Sequence, residues 1–376
     1  MVQRKSNFEL LRIVSIILII IYHCAFHGGF DFGSAFSINK FIIKTFDMLG
    51  ELGVNLFILV SGYFLVNGRF RWKKLILLIA EVLFYHILTI LLACRLGLYE
   101  LSFTPRNVLI YFFPITTRGY WFITVYVVIY LLSPYFNTLA KAMDKTAYQK
   151  FLLAVLFLYS LVPTLFGIFY NTTETDYLFY YSRLIWLIIT YFIGAYIRLH
   201  SLSMIRSMKS SAIVSISAFM VLMASILLID KFDSFFAFLG TTEEAYLWPP
   251  NSVPMVFWSI GVFGIFLHLK FSYHPLINRV ASTTLGIYML HDGMLKNWLW
   301  PIVFRCAEYQ NAFPLYLVCR ILFAAGSIFV VGAAVDLLRQ LLEKYTLQKF
   351  LDSKLCDRMA GAIQKYQSAF HEKFLK

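Results

Sequence analysis

Long apolar stretches, separated by short polar segments, run along almost the whole chain. A window of about twenty residues, the length that crosses a hydrocarbon core as a helix, predicts ten helices. These are residues 8–27, 46–66, 74–94, 120–138, 151–170, 179–199, 211–230, 253–270, 280–300 and 314–336. The pattern therefore predicts an all-α, polytopic integral membrane protein with about ten transmembrane helices.

Composition supports this prediction. Hydrophobic residues make up 60% of the 376-residue chain and charged residues 14%, with a mean hydropathy of +0.72. Soluble domains are about one-quarter charged. The net charge of +13 could indicate nucleic-acid binding. In a membrane protein, however, Lys and Arg collect in cytoplasmic loops. We therefore expect membrane lipids, and not nucleic acid, as partners.

The basic residues predict the orientation of the helices. Counted on alternate sides of the predicted spans, 22 Lys and Arg residues fall on the side of the chain termini and seven on the other. The positive-inside rule therefore places both termini in the cytoplasm. The basic start, followed by a long apolar run without a small-residue cleavage site, predicts a retained first helix rather than a cleaved signal peptide.

Two units follow from this reading. Residues 1–340 form the predicted transmembrane domain, and residues 341–376 a basic amphipathic tail on the anionic inner leaflet. Residues 95–119 are broken by Pro105, Pro114 and Gly119 and predict an interfacial or re-entrant piece on the outer side. The five cysteines show no CxxC spacing, so the sequence predicts neither a zinc site nor a disulfide framework.

The first span carries ionisable residues in an ordered pattern. In "FELLRIVSIILIIIYHCAFHGG", Arg12 and His23 fall within about 20° on a helix and about 16 Å apart along its axis. Arg12 lies near the cytoplasmic boundary and His23 near the outer one. Such groups usually face a cavity. The alternative is that Arg12 snorkels to the interface and His23 bonds a neighbouring carbonyl.

Chemically, this stripe suits group transfer from a cytoplasmic donor. A neutral His in a low-dielectric cavity can accept a proton from a hydroxyl nucleophile, and an Arg at the entrance suits phosphate. Glu9 precedes Arg12 by three residues and could hold its guanidinium. His27 forms an i, i+4 pair with His23, but no third ligand lies nearby in sequence, so we expect no metal.

A second basic element joins the second and third spans in "GRFRWKK". Arg69, Arg71 and Lys73 are predicted to bind donor phosphates, since an Arg guanidinium can donate two parallel hydrogen bonds to phosphate oxygens. The alternative is that these residues act only as the positive-inside signal.

Several motifs together resemble the acyltransferase 3 family. They are "FELLRIVSIILIIIYH", "GELGVNLFILVSGYFL", the Arg-x-Arg of "GRFRWKK", "GYWFITVYVVIYLLSP" and "TTLGIYMLHDGML". The resemblance covers roughly residues 6–340. It implies a ten-helix acyltransferase in the bacterial inner membrane that modifies surface carbohydrates with acetyl-CoA as donor. It also implies that Arg12, Arg69 and Arg71 engage the donor and that His23 is required for transfer.

Further polar residues are candidates near the outer side. Arg183, in the sixth span, is predicted to line the acceptor site or to stabilise oxyanion charge, unless it pairs with Asp176 or a carbonyl. His291 and Asp292 are neighbours in the ninth span, so we expect them to face different sides of one helix.

The sequence thus predicts a membrane O-acetyltransferase that acts on a hydroxyl of a cell-surface or lipid-linked glycan. The alternative is a transporter or flippase for such a glycan, although the broken, repeated helices of transporters are not evident in the pattern. The sequence does not distinguish an acetyl group from a longer acyl group, or a monomer from a homo-oligomer.

Overall fold

A chain in hydrocarbon must satisfy its own backbone hydrogen bonds, and a helix does so within one segment. The computed structural model follows this rule. It describes residues 5–33, 36–116, 120–167, 182–239, 246–270 and 272–346. All regular structure in these ranges is helical, which confirms the predicted all-α class.

Within these ranges, eight helices are long and apolar enough to cross a membrane. They are α1 (Ser6–His27), α2 (Ile38–Leu65), α3 (Trp72–Arg95), α5 (Trp121–Ala142), α6 (Lys145–Leu156) continued by α7 (Val162–Phe166), α8 (Arg183–His200), α9 (Met208–Lys231) and α15 (Pro314–Tyr345). The shorter helices are α4 (Pro105–Phe112), α10 (Asp233–Phe238), α11 (Val253–His268), α12 (Pro275–Ala281), α13 (Thr284–His291) and α14 (Lys296–Trp298).

The ninth predicted span, 280–300, is not one continuous helix. Helix α13 ends at His291, and Asp292 is its C-cap with φ −101° and ψ 0°. Gly293 follows, and a Cβ there would lie 2.6 Å from the Tyr120 hydroxyl. The helix ends at this Asp292–Gly293 step, where Gly293 packs closely against the Tyr120 side chain, so the prediction of one unbroken helix was wrong.

The prediction for residues 95–119 agrees with the structure where it is described. After Arg95, the last residue of α3, only the eight residues of α4 are helical among the described residues 96–116. A helix of that length extends about 12 Å, too short to cross a membrane.

The last helix runs further than the sequence predicted. Helix α15 continues to Tyr345, so the tail that was predicted to start at residue 341 begins inside this helix. Arg339 is buried there because its guanidinium contacts Glu81 of α3 (Nη2–Oε1 3.0 Å) and Asp336 (Nε–Oδ1 2.7 Å). This ion network fixes α15 against α3. The remainder of the predicted tail lies outside the described residues.

Helices α1, α2 and α8 form the centre of the bundle. In their most apolar windows, 72% of α2 and 61% of α8 is buried, against 17% for α6–α7. Helices α2 and α8 approach closely because Gly62 faces the Tyr191 backbone and Gly194 faces the Leu59 backbone. A side chain at either glycine would separate the two helices.

Candidate functional site

A cavity of about 480 Å³ lies beside α1 and is walled by α2, α3, α5, α8 and α13. Its volume falls in the range of about 300–1,000 Å³ typical of small-molecule sites. Polar lining residues occur at its two ends, while Ile16, Ile19, Val54, Phe57 and Phe122 line the part between. At the end near the start of α1 the polar residues are Arg12, Ser61, Ser282 and Thr284. At the other end they are His23, His27, Glu51, Arg183, Asp292 and Lys296.

Arg12 and His23 line this one cavity, as the helical spacing predicted. Because α1 is a regular helix, the two residues are about 16 Å apart along its axis. Glu9 contacts Arg12 (Oε2–Nη1 3.5 Å), which confirms the predicted pair. His23 Nδ1 bonds the His291 ring rather than a backbone carbonyl, and the roles of Arg12 and His23 stay predictions.

His23 takes part in a chain of hydrogen bonds that fixes its tautomer. The Ile287 carbonyl can only accept, so His291 Nδ1, at 2.6 Å, donates to it. In the neutral ring His291 Nε2 is then an acceptor, and His23 Nδ1, at 2.9 Å, donates to it. His23 Nε2 consequently carries no proton, and its lone pair is available to a molecule in the cavity. A His with its lone pair directed into a cavity is in the protonation state that a general base requires.

Asp292 lies on the other side of the His23 ring. Its Oδ1 is 3.6 Å from His23 Nε2, 3.9 Å from His27 Nε2 and 3.9 Å from Lys296 Nζ. His291 and Asp292 thus both approach His23, His291 at Nδ1 and Asp292 near Nε2. They reach its ring from different sides, in keeping with the expectation that neighbours in sequence face different sides of one helix, and the Asp292 N–H still donates to the Tyr288 carbonyl (3.1 Å) as in a helix.

Arg183 is the first residue of α8 and lines the same end of the cavity as His23. Its guanidinium carbon lies 4.2 Å from the centre of the Trp121 ring, a cation–π contact. A positive charge is disfavoured at a helix N-terminus by the helix dipole, so the cation is not there to stabilise α8. The alternative partner Asp176 lies outside the described residues.

Arg69, Arg71 and Lys73 lie apart from this cluster. All three are exposed, Arg69 and Arg71 on the turn between α2 and α3 and Lys73 in the first turn of α3, and they are not among the residues that line the cavity. Tyr130 packs against this turn: its hydroxyl accepts from the Arg71 N–H (3.2 Å) and donates to the Arg71 carbonyl (3.2 Å), and its ring lies 5.0 Å from that of Phe70. Ser61 of α2 and Leu78 of α3 line the cavity on either side of this turn. The basic turn therefore belongs to the same end of the bundle as Arg12.

Three residues of the cluster have the donor atoms of a metal site. One ligand atom each of His23, His27 and Asp292 lies within 4.8 Å of the other two. Sequence spacing indicated only the two histidines, because Asp292 comes from a distant segment. Two His and one carboxylate can bind zinc. Lys296 contacts the same carboxylate and supplies a positive charge there already.

Glu51 and Tyr288 line the cavity and were not identified from the sequence. Glu51 is 9% exposed, in the middle of an apolar helix. An acid in such a position is itself a signal of a functional cavity and could have identified it. The Tyr288 ring centre lies 6.3 Å from that of His23. Tyr288 is one helical turn before His291, but only the fold brings it to α1.

A family model described as an acyltransferase domain matches residues 5–336, nearly the whole chain. No curated protein and no solved structure matches it.

Proposed function

The chain belongs to the acyltransferase 3 family and is a multi-pass membrane acyltransferase, and we propose that it transfers an acetyl group from cytoplasmic acetyl-CoA to a glycan hydroxyl. The acceptor is a cell-surface or lipid-linked glycan, such as capsule or exopolysaccharide. The proposed location is the bacterial inner membrane. The observation that carries the proposal is a single cavity with Arg12 at one end and the free Nε2 lone pair of His23 at the other.

The donor would enter from the side of the basic turn. Arg12, Arg69, Arg71 and Lys73 carry the positive charge that the phosphates of acetyl-CoA require. The apolar walls between the two ends suit the pantetheine arm. The distance of about 16 Å from Arg12 to His23 is of the same order as that arm, so the thioester would lie beside His23.

The chemistry then follows from the groups around His23. The acceptor hydroxyl attacks the thioester carbonyl carbon while His23 Nε2 removes its proton. The negative charge on the carbonyl oxygen is stabilised by the Arg183 guanidinium, and Asp292 stabilises the imidazolium. The C–S bond breaks, and the imidazolium returns its proton to the leaving thiolate. The products are an O-acetyl ester and coenzyme A.

The test uses the full chain in nanodiscs with radiolabelled acetyl-CoA and a lipid-linked oligosaccharide as acceptor. We expect acetyl-CoA to raise the Tm of the wild type and label to appear in the oligosaccharide. His23→Ala should still bind acetyl-CoA but not transfer, and Arg69→Ala/Arg71→Ala should lose the Tm rise. The matched controls are His86→Ala, whose ring bonds the Ile110 carbonyl away from the cavity, and the exposed Arg206→Ala.

Absence of any acetyl-CoA binding by the folded wild type would contradict the proposal. Uptake of the oligosaccharide into liposomes without acetylation would instead support the transporter alternative.

A further inference from the structure

Two cysteines that are far apart in sequence meet beside the site. The sulfur atoms of Cys24 and Cys306 lie 3.2 Å apart, although the residues are 282 positions apart. Cys24 is in the last turns of α1, next to His23, and is 0% exposed; Cys306 is 5% exposed and starts the short helical turn Cys306–Tyr309. Sequence spacing could not have predicted this pair.

The segment that carries Cys306 is held against α1 and α2 by several contacts. Asn39 Nδ2, at the start of α2, donates to the carbonyls of Gln310 (2.7 Å) and Ala312 (2.8 Å). Gly28 allows the close approach, because a Cβ at this position would lie 2.9 Å from the Cys306 Cβ. The two thiols are therefore kept together by the surrounding fold rather than by a chance rotamer.

The two sulfur atoms differ in reactivity. The hydrogen bond with the Cys24 thiol lowers the pKa of the Cys306 thiol, and the nearby Arg320 charge acts in the same direction. The thiolate is the form that attacks a disulfide, so Cys306 is the first to react. Cys24 is fully buried, and its sulfur lies against that of Cys306.

The location favours oxidation. The chain enters α1 from the side with most of the basic residues, so the end of α1 and Cys306 lie on the outer side. Disulfides persist in that compartment of a bacterial envelope. Among the described residues, neither Cys94 nor Cys319 lies against a second thiol, and Cys319 is exposed.

We propose that Cys24 and Cys306 form a disulfide that joins the end of α1 to the segment before α15. The oxidant is a disulfide R–S–S–R on the outer side, either of a thiol oxidoreductase or of low molecular weight. The Cys306 thiolate attacks one of its sulfurs and releases one R–SH after protonation. Cys24 then loses its proton and attacks the mixed disulfide, releasing the second R–SH. The two cysteines are oxidised by two electrons in all, and R–S–S–R is reduced to two R–SH.

The bond would fix the helical turn that carries His23. It would also fix the segment after Trp300, whose ring centre lies 6.2 Å from that of His291. The disulfide therefore stabilises both partners of the His23–His291 hydrogen bond. This inference does not depend on the identity of the donor or acceptor.

The test traps thiols in intact membranes by acid, alkylates them in denaturant, and identifies linked peptides by mass spectrometry before and after reduction. We expect a peptide pair containing Cys24 and Cys306, and alkylation of both only after reduction. Cys94 and Cys319 serve as internal controls and should be alkylated without reduction. Full alkylation of Cys24 and Cys306 without reduction would overturn the proposal.

A second measurement does not require trapping. Reduction of the purified wild type should lower its Tm, while Cys94→Ser/Cys319→Ser should show the same fall and Cys24→Ser/Cys306→Ser none. An equal response to the reductant in all three proteins would overturn the proposal.

Discussion

The cluster around His23 and the basic turn at Arg69–Lys73 differ in how firmly the protein holds their side chains. His23 is 6% exposed and is held by His291 on one side, with Asp292 on the other. Arg69 and Arg71 are exposed on the turn, and Lys73 is exposed in the first turn of α3. A base must keep one tautomer within hydrogen-bond distance of the reacting atom, whereas phosphate docking requires only accessible positive charge. Under the proposed function, this difference assigns the chemistry to the end of the cavity at His23 and capture of the donor to the end near the basic turn.

Substitution of His23 should have the largest effect and is the most direct test of this comparison. We expect His23→Gln to lower kcat for acetyl transfer by about 10²–10⁴-fold, the usual contribution of a general base. Donor binding should remain, because the phosphate-binding residues are at the other end. The measurement is transfer kinetics together with acetyl-CoA titration in nanodiscs. A variant that loses donor binding but keeps kcat would reverse the two assigned roles.

His291 is proposed as a positioning residue at the same end of the cavity, and its variants test whether it acts through His23. His291→Leu removes the acceptor for His23 Nδ1–H, and an unmet buried hydrogen bond costs about 1–3 kcal/mol, or roughly 5–150-fold in kcat. His291→Gln still offers a carbonyl oxygen and should recover part of that loss. KM for acetyl-CoA should stay constant in both variants, as steady-state kinetics would show. Equal losses in the two variants would mean that the ring only fills space.

Much of the fold could be predicted from the sequence because hydropathy alone determines where helices cross a membrane. The broken segment after His291 could not, since an apolar run such as "YMLHDGMLKNWLW" reads as a continuous helix in a window of twenty residues. His23 and Arg12 could be aligned because they share one helix. Asp292, Glu51 and Cys306 reach the site through packing between distant segments, and no local pattern contains that information.

The basic turn should respond differently from His23. We expect Arg69→Ala/Arg71→Ala to raise KM for acetyl-CoA by about tenfold with kcat little changed, because exposed charges are screened by solvent and contribute modestly. The KM of the wild type should itself rise with salt, while that of the double variant should rise less. Kinetics at two ionic strengths measure both effects, with Arg206→Ala as the control. A fall in kcat without a change in KM would place this turn in the chemical step.

Metal removal is expected to have the smallest effect. His23, His27 and Asp292 could together hold a divalent cation, but Lys296 already lies 3.9 Å from the same Asp292 oxygen. If His23 Nε2 is to take a proton from the acceptor, that lone pair must be free of metal. We therefore expect dialysis against EDTA to leave transfer unchanged, and metal analysis of active protein to find no stoichiometric zinc. Loss of transfer that zinc restores would show that the three residues form a metal centre, and His23 would then act as a ligand instead of the base.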